Sequence, residues 1–279
     1  MKTFFEMIKF EHTVFALPFA YLGMVMARKT WPGWGVFLGV TLAMVGARTA
    51  GMTLNRLVDR AIDAKNPRTK GRALVTGAFS VRAAWLVVGI SLVALFAAAS
   101  ALNPLCLQLS PVAFALLLGY HYVKRFSYLC HFVLGLVLGM APLGGWIAVT
   151  GEFSWVPVLL TLAVTGWVAG FDILYALQDV EFDRSNGLHS VPVRFGVQQA
   201  LRISTWSHVA AVLFLALFAV AAQLGVLYAA GVLVTAILLK IEHVLIGDGD
   251  LSRLNTAFFT INGWVGILLF VFAFLEIYR

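Results

Sequence analysis

The sequence predicts an all-α, polytopic membrane protein with nine transmembrane helices. The chain of 279 residues is 61% hydrophobic and only 12% charged, whereas a soluble domain is about 25% charged. Its apolar residues fall in runs of about 20, which is the length that crosses roughly 30 Å of hydrocarbon as a helix. The runs lack the period-two alternation of barrel strands, and a helix satisfies its own backbone hydrogen bonds in lipid.

The predicted spans follow one another along the chain, and most connections between them are short. No cleavable signal is expected, because the first apolar run follows the acidic Glu6 and Glu11 and leads directly into more membrane. Cys106 and Cys130 lie at apolar positions without metal or redox spacing, so free thiols are expected. In chain order, the spans are predicted at residues 12–28, 35–58, 82–102, 105–123, 128–149, 155–177, 199–222, 224–246 and 255–277.

Positive charge is distributed unequally between the two sides of the predicted membrane. Of the 20 lysines and arginines, only Arg28, Lys29 and Arg279 fall on the side opposite the amino terminus, and Arg48 falls inside the second span. Cytoplasmic loops carry the excess of Lys and Arg, so the amino terminus is expected on the cytoplasmic side of the inner (plasma) membrane. The basic face suits anionic membrane lipid, and nucleic acid is not indicated as a partner.

The chain is expected to form one domain, residues 1–279, with two long cytoplasmic loops. These loops, at about 60–80 and 179–197, are rich in Gly, Arg, Asp and Asn, and the other connections are tight. Long ordered loops usually carry function. Each loop follows an apolar helix that ends in acidic residues, which hints at a repeated helical unit.

Acidic residues are concentrated at the cytoplasmic ends of the second and sixth predicted helices. Residues four or seven apart return to nearly the same face of a helix, so each cluster is expected to form one stripe. The residues with these spacings are Asn55, Asp59 and Asp63 in the first cluster and Asp172, Asp179 and Asp183 in the second.

Two explanations of these clusters are open from the residues alone. Neighbouring carboxylates at a membrane boundary repel each other unless something neutralises them. In one explanation, Arg56, Arg60 and Arg184 pair with them as ordinary interfacial charges. In the other, Mg²⁺ binds, since it prefers hard oxygen ligands and completes its shell with substrate phosphates. The occurrence of both clusters on one side favours the metal.

Basic residues close to the clusters favour a diphosphate substrate. A cationic wall around bound metal would stabilise the charge that builds on leaving phosphate oxygens. The other end of such a substrate would lie among apolar helices, which an allylic isoprenyl diphosphate fits. The basic residues are Lys65, Arg68, Lys70 and Arg72 after the first cluster, Lys124 and Arg125 at the end of the fourth span, and Arg194 in the second loop.

The two clusters resemble the motifs of the UbiA superfamily of intramembrane prenyltransferases. Residues 55–63 match N-x-x-x-D-x-x-x-D, and residues 172–183 match D-x-x-Y-x-x-x-D-x-x-x-D. Within the family, the chain looks most like the bacterial 4-hydroxybenzoate polyprenyltransferase-like branch, part of which serves futalosine-route menaquinone synthesis. Further matches, in the order of the family, are NPRT at 66–69 with Arg72, YHYVKR at 120–125, and GLHS at 187–190 before Phe195 and Gly196.

The resemblance implies nine helices around a central cavity, a cytoplasmic cap made by the two loops, and two Mg²⁺ ions bridging the motifs. It also implies transfer of a polyprenyl group from a polyprenyl diphosphate to an aromatic acid, 4-hydroxybenzoate or 1,4-dihydroxy-6-naphthoate, in ubiquinone or menaquinone biosynthesis. Alternatives are haem, chlorophyllide or glycerol phosphate acceptors within the family. A membrane transporter is a further alternative, but its ionisable groups would lie near mid-membrane.

Roles for individual residues follow from this chemistry. A capped site would keep water away from the allylic cation. The metal ligands are expected to be Asn55, Asp59, Asp63, Asp179 and Asp183, directly or through water. The diphosphate is expected to contact Arg68, Arg72 and Lys124, with Arg125 and Arg194 in the same basic wall.

Two ionisable residues lie deeper in the predicted helices. Asp172 is about 10.5 Å along a helix from Asp179, too far to share one ion easily, so it is expected to orient or deprotonate the phenolic acceptor or to pair with a buried cation. Arg48 lies on the same face as Asn55, seven residues earlier. An intramembrane arginine usually points at a partner, which is either the carboxylate of the acceptor or Asp172.

Aromatic and imidazole side chains complete the set of candidates. Tyr120 and Tyr175 are expected to steady the cation or bond the diphosphate, or to be ordinary interfacial tyrosines. The histidines show no zinc spacing, and interfacial placement is expected for them. They are His12, His121, His131, His189, His208 and His243.

Overall fold

The computed structural model describes residues 2–8, 10–247, 254 and 260–279, and the side chains of residues 2 and 10–16 are outside this description. The predicted spans 12–28 and 255–277 lie partly outside it, as does the side chain of His12. Within the described ranges the chain is helical and contains no strand. Both cysteines are free, as predicted.

Fourteen α-helices are present in the described residues, and eight of the predicted spans match them to within two residues at each end. A short 3₁₀ turn, Leu177–Asp179, follows α9. The helices are α1 Lys2–Ile8, α2 Phe10–Met26, α3 Trp34–Val58, α4 Arg60–Lys65, α5 Ala73–Thr76, α6 Val81–Leu102, α7 Pro104–Val123, α8 Cys130–Thr150, α9 Val156–Ala176, α10 Val180–Ser185, α11 Val191–Phe195, α12 Val197–Ala221, α13 Val226–Ile246 and α14 Asn262–Ile277.

Seven helices of the described chain are long and apolar enough to cross a membrane, namely α3, α6, α7, α8, α9 with its continuation, α12 and α13. The apolar helices α2 and α14 have 17 and 16 residues. At 1.5 Å per residue they extend about 24–26 Å, short of the roughly 30 Å of a hydrocarbon core. Nine spans therefore stay a prediction for these two helices.

Several helix starts are fixed by capping side chains. The side chain of Ser80 accepts a hydrogen bond from the backbone N–H of Ala83, and that of Asn103 accepts one from Cys106. Pro104 follows in the first turn of α7, where its missing N–H costs nothing. These caps fix the starts of α6 and α7, each one residue before the start of the predicted span.

The long helices form a ring. Each described long helix packs against the next in chain order, and α2 contacts both α3 and α14, so that the ring closes. Helix α2 also packs closely against α8 across the ring. A Cβ atom on Gly23 would lie 1.9 Å from the Pro142 carbonyl oxygen, and one on Gly145 would lie 2.1 Å from that of Ala20. Only glycine permits this approach, as is usual where membrane helices pack tightly.

Both acidic motifs lie at helix interruptions, and the predicted continuous stripes are wrong in this respect. Asp59 separates α3 from α4 with φ −92° and ψ 3°, and Asp179 precedes α10 with φ −107° and ψ 6°. This is the sparsely populated bridge region of backbone space, in which active-site residues are often found. In the first motif the backbone N–H of Asp59 still donates to Asn55 (3.0 Å), so the spacing of its polar groups is kept.

The two long loops are partly helical. The first contains α4 and α5, and the second contains the 3₁₀ turn, α10 and α11. The backbone N–H of His189 in the second loop donates to the Lys124 carbonyl oxygen at 2.7 Å, which holds this loop at the end of α7. The loops thus meet at one end of the ring, and their position on the cytoplasmic side stays a prediction.

Candidate active site

Two adjoining cavities lie at the end of the ring that carries the acidic motifs. A central cavity of about 730 Å³ has apolar walls that include Phe19, Trp167 and Phe171. A polar cavity of about 250 Å³ is lined by both motifs, including Asp59, Asp63, Asp179 and Asp183. Both cavities are lined by Asn55, Arg68, Arg72, Tyr120, Asp172 and Tyr175.

Asp59 is the most buried carboxylate of the site, with 1% of the residue exposed. Its Oδ2 atom accepts hydrogen bonds from Lys124 Nζ at 2.6 Å and from Asn55 Nδ2 at 3.2 Å. Arg125 Nη2 lies 3.4 Å from Oδ1 and donates to the Val58 carbonyl oxygen at 2.9 Å. The predicted metal ligand and the predicted diphosphate ligand therefore form an ion pair at the end of α3.

Asp63 is held in the same way by a cation of its own loop. The Arg72 Nη1 atom lies 2.6 Å from both carboxylate oxygens of Asp63. The Thr69 hydroxyl donates to the Asp63 carbonyl oxygen at 3.1 Å, which fastens the loop between them. The first motif is thus neutralised by residues that follow it closely or lie at the end of α7.

The pairing of the motifs with Arg56, Arg60 and Arg184 is wrong. Arg56 Nε donates to the Met7 carbonyl oxygen at 3.4 Å, and Arg60 Nε donates to that of Leu74 at 2.9 Å. Arg184 lies 3.5 Å from the exposed carboxylate of Glu181, which is not part of either stripe. Arg56 Nη1 also donates to the Asn55 Oδ1 atom at 3.4 Å, so within the motifs it contacts an amide and not a carboxylate.

Arg68 bridges the two motifs, which are more than 100 residues apart in the chain. Its Nε and Nη2 atoms donate to the two carboxylate oxygens of Asp179, at 3.0 and 2.5 Å. Its Nη1 atom donates to the Tyr175 hydroxyl at 3.2 Å, and Asn66 Nδ2 donates to Asp179 at 2.9 Å. Burial lowers the pKa of Arg68, but the hydrogen bonds and charge of Asp179 outweigh this, so its pKa lies above the ordinary value.

The remaining acids of the second motif have different surroundings. Asp183 lines the polar cavity and forms no ion pair with any residue that the structure describes. Asp172 lies deeper, 26% of its side chain is exposed, and its Oδ2 atom is 2.7 Å from His131 Nδ1. The predicted buried partner of Asp172 is thus a histidine rather than an arginine.

Arg48 is the deepest cation of the site. Its side chain lines the central cavity and a neighbouring apolar cavity of about 210 Å³, and Tyr120 also lines both. The Nε atom is buried without a hydrogen-bond partner among the described residues. No ion pair joins Arg48 to Asp172 in this part of the chain, so that alternative is wrong. An arginine donor directed at a cavity suits an anionic ligand group.

Arg194 is not brought to the site. It is exposed on α11 and lines none of the three cavities. Pro192 of the same helix is buried, and at 100° per residue Arg194 lies nearly opposite it. The expectation that Arg194 contacts the diphosphate therefore has no support from its position.

Three of the histidines are buried between packed helices, and their placement at the membrane interface stays a prediction. His121, His131 and His208 are 2, 3 and 3% exposed. His121 Nδ1 contacts Asn55 Nδ2 at 3.3 Å, and His208 pairs with His243 at 3.0 Å between α12 and α13. His131 is the site residue that the spacing of polar groups missed, and its only signal was its position at the start of a span on the side of both motifs.

The donor set of the polar cavity fits a divalent cation, although no metal is part of the structure. Among the described residues no three acidic, histidine or cysteine side chains are close enough to form a ligand cluster. Each of Asp59, Asp63 and Asp179 is instead bound by a lysine or arginine. Hard carboxylate oxygens beside phosphate-binding cations are the chemistry that Mg²⁺ with a diphosphate uses.

Comparison with known proteins gives consistent matches over most of the chain. The sequence profile of the UbiA prenyltransferase family matches residues 16–266. A 4-hydroxybenzoate octaprenyltransferase of Vibrio campbellii is 31% identical over 251 residues, which is 89% of this chain and 87% of the relative. A protein of the same name from Aromatoleum aromaticum is 33% identical over 88% of this chain and 83% of its own length.

Solved structures match the fold over nearly the whole chain. The apo structure of a UbiA homolog from Aeropyrum pernix K1 superposes with a TM-score of 0.88 and is 37% identical, covering 95% of this chain and 98% of that one. A UbiA homolog from Archaeoglobus fulgidus bound to DMAPP and Mg²⁺ superposes with a TM-score of 0.73, is 21% identical and covers 99% of both chains. The latter likeness concerns the fold alone.

Proposed function

The chain belongs to the UbiA prenyltransferase family, and from this premise we propose that it transfers a polyprenyl group from an allylic polyprenyl diphosphate to an aromatic acid. It is a prenyltransferase of the membrane. The proposed acceptors are 4-hydroxybenzoate and 1,4-dihydroxy-6-naphthoate, and the products would be precursors of ubiquinone or menaquinone. The names of the octaprenyltransferase relatives support an aromatic acceptor. Because the chain belongs to a prenyltransferase family, the transporter alternative is not retained.

One observation carries the proposal. Two acidic motifs, distant in sequence, line one polar cavity with Arg68, Arg72 and Lys124, and this cavity adjoins a central cavity with apolar walls. A polyprenyl diphosphate has the matching polarity, with a charged head and an apolar tail. The deep Arg48, directed at the central cavity, supplies a site for a carboxylate on the other substrate.

Divalent metal is proposed to bind at Asn55, Asp59, Asp63, Asp179 and Asp183, with two Mg²⁺ ions in all. When bound, the metal neutralises diphosphate charge and so makes diphosphate a better leaving group. Arg68, Arg72 and Lys124 then exchange their carboxylate partners for diphosphate oxygens. Each of these cations is about a quarter to a third exposed in the side chain and lies at the cavity surface, which makes the exchange sterically simple.

The bond changes follow from this arrangement. The carbon–oxygen bond of the allylic diphosphate breaks, and its electron pair leaves with the diphosphate held by Arg68, Arg72 and Lys124. The ring of the acceptor forms a carbon–carbon bond to the allylic carbon, and the ring proton is then transferred to the departing diphosphate, which restores aromaticity. Tyr120 and Tyr175 face the cavity where positive charge develops, and Asp172 accepts a hydrogen bond from the phenolic hydroxyl of the acceptor.

The loops have the remaining task of excluding water from the cation. Asn66 Nδ2 ties the first loop to Asp179 of the second motif at 2.9 Å, and this contact is retained when Arg68 turns to the diphosphate. The excess of cations at this end supports a cytoplasmic opening of the site in the inner membrane.

The proposal is tested with protein purified in lipid nanodiscs. Farnesyl or a longer prenyl diphosphate is supplied with each aromatic acid in turn, with Mg²⁺ or with EDTA, and diphosphate and prenylated product are measured. We expect both products together only with metal and one of the aromatic acids. Metal-independent turnover, or turnover only with a haem, chlorophyllide or glycerol phosphate acceptor, would contradict it.

The acceptor site is tested separately with Arg48→Leu. Hydrogen bonds to charged groups contribute about 1.5–3 kcal/mol, so the KM for the aromatic acid should rise by about 10- to 100-fold while that for the prenyl diphosphate changes little. Equal losses for both substrates would remove the carboxylate assignment from Arg48 without affecting the diphosphate site.

A further inference from the structure

We propose that His131 is a positioning residue that fixes the orientation of Asp172 towards the acceptor, an inference that rests on the proposed function. His131 lies in the first turn of α8 and is 3% exposed. Its Nδ1 atom is 2.7 Å from Asp172 Oδ2. Its Nε2 atom is 3.2 Å from the backbone nitrogen of Val191. Both ring nitrogens are therefore engaged.

The Val191 contact selects one tautomer of the imidazole. A backbone N–H can only donate, so Nε2 of His131 must be the acceptor and carry no proton. The ring proton then lies on Nδ1 and is donated to Asp172. Val191 is the first residue of α11, where the N–H has no partner within the helix. Burial keeps water from competing for either contact.

The hydrogen bond leaves one face of Asp172 for the ligand. Oδ2 is occupied by His131, and Oδ1 has no hydrogen-bond partner among the residues that the structure describes. The side chain is 26% exposed and lines both the central and the polar cavity. A carboxylate held by one oxygen presents the other in a fixed direction, which suits a phenolic hydroxyl donor. Asp172 without His131 would rotate freely about its terminal bond.

The same imidazole also links Asp172 to the second loop. Val191 follows the segment that is held to α7 through the His189 N–H and the Lys124 carbonyl oxygen, at 2.7 Å. The Cys130 sulfur lies 3.5 Å from the His189 carbonyl oxygen, next to His131 in the chain. The second loop covers the diphosphate site. Through Val191 it therefore also sets the tautomer of His131, which orients Asp172 towards the acceptor.

Two substitutions separate the contacts of His131. In His131→Asn the amide nitrogen replaces Nδ1 and retains a donor to Asp172, whereas in His131→Gln the amide replaces Nε2 and retains only the contact with Val191. We expect His131→Gln to reduce kcat/KM for the aromatic acid by about 10- to 100-fold, a typical effect of lost positioning. The KM for the prenyl diphosphate should change less than about threefold, and His131→Asn should restore most of the loss.

A double-mutant cycle with Asp172→Asn distinguishes positioning from a general structural role. If His131 acts through Asp172, adding His131→Gln to Asp172→Asn should lower kcat/KM for the aromatic acid by a further factor of less than about three. Additive losses, equal losses in Asn and Gln variants, or parallel losses for both substrates would overturn the proposal.

A measurement independent of turnover keeps this test apart from that of the proposed function. Nitrogen-15 spectra of histidine-labelled protein, with His131→Gln to identify the signal, should show the Nδ1–H tautomer, and Asp172→Asn should shift it. An Nε2–H tautomer would overturn the positioning role even if the wild-type chain prenylates an aromatic acid. If the Nδ1–H tautomer is found but no aromatic acid is prenylated, the contact between His131 and Asp172 is supported and the proposed acceptor is contradicted.

Discussion

The two acidic motifs have similar backbones but differ in how their carboxylates are neutralised. In each, the middle aspartate lies at a helix interruption with ψ near zero. In the first motif, Asp59 and Asp63 are 1 and 5% exposed, and each has its own cation. In the second, Asp179 is bound by Arg68 from the loop of the first motif, and Asp183 has no ion pair among the described residues.

The difference follows from burial. Removing a carboxylate from water costs several kcal/mol unless a well-placed cation and hydrogen bonds compensate for it. The deeply buried first motif therefore needs a cation or a metal beside each carboxylate at all times, whereas 14% of the Asp179 side chain remains exposed. We infer that the second motif accepts metal and diphosphate with less reorganisation than the first, where Lys124 and Arg72 leave Asp59 and Asp63 only when metal takes their place. Each prediction below tests this asymmetry.

The largest effects are expected for Asp59→Asn and Asp179→Asn. Each removes a proposed metal ligand, so turnover should fall by more than about 100-fold, which exceeds the usual effect of losing an outer-shell partner. Only Asp59→Asn should also destabilise the protein markedly, because it removes the buried negative charge that pairs with Lys124 and replaces one acceptor oxygen by an amide donor. Turnover and the midpoint of thermal unfolding should be measured for both.

Equal destabilisation by the two variants would contradict the asymmetry, and more than a tenth of wild-type turnover in either would contradict the metal assignment. Because Lys124 is 32% exposed in its side chain, solvent screens part of the loss. About 1–2 kcal/mol is therefore expected for Asp59→Asn.

A smaller effect is expected when the bridge between the motifs is weakened by Arg68→Lys. A lysine keeps the charge but cannot form the two parallel hydrogen bonds with Asp179 or the contact with Tyr175. The KM for the prenyl diphosphate should rise by about tenfold, corresponding to about 1.4 kcal/mol, and the KM for the aromatic acid should change little. Steady-state kinetics with each substrate varied in turn measures both, and a larger effect on the acid would contradict the role of Arg68.

The ion pairs also predict how ligands stabilise the protein. Mg²⁺ alone must displace bound lysine and arginine side chains, whereas pyrophosphate offers those cations new partners. We expect the midpoint of thermal unfolding to rise little with Mg²⁺ or pyrophosphate alone. With both ligands it should rise by more than the sum of the two separate shifts. The free energy of stabilisation should then approach about 2.7 kcal/mol at a hundredfold excess of ligand over Kd. Asp59→Asn should abolish the joint shift, and a full shift with Mg²⁺ alone would show that the carboxylates are not held by their cations.

The smallest effect is expected for Glu181→Gln, which is the matched control within the second motif. Glu181 lies two residues from Asp183, but its side chain is 88% exposed and its contact with Arg184 is long, at 3.5 Å. Exposed pairs of this kind contribute little. Turnover should stay within about twofold of the wild-type value, and the midpoint of thermal unfolding should not change beyond the error of measurement. A large loss of turnover would show that the whole acidic segment, rather than Asp179 and Asp183, determines function.

The sequence predicted the elements that depend on local patterns. Apolar runs placed eight spans within two residues of the helices, because hydrocarbon thickness sets their length. Residues four and seven apart share a helix face. The spacing of polar residues within each acidic motif therefore predicted that the residues of that motif lie together, and both motifs line one cavity. Local spacing did not reveal the interruptions at Asp59 and Asp179, where the carboxylates bind side chains from other parts of the chain.

Partners distant in sequence were the part that local reasoning could not supply. The pair of Arg68 and Asp179 spans 111 positions and that of Lys124 and Asp59 spans 65, so either could be known only once the ring brought these ends together. His131 was assigned to the interface because an isolated histidine has no spacing from which a partner can be read. Its contacts with Asp172 and Val191 come from three separate parts of the chain.

The closure of the ring by α2 and α14 has a consequence for biosynthesis. These helices lie more than 200 positions apart in the chain yet touch each other, and Phe19 and Asn262 from them line the central cavity. A ribosome delivers α2 well before α14, so the wall between them is completed only after α14 has been made. Nascent chains arrested before α14 should therefore insert their earlier helices but be unable to retain a prenyl diphosphate.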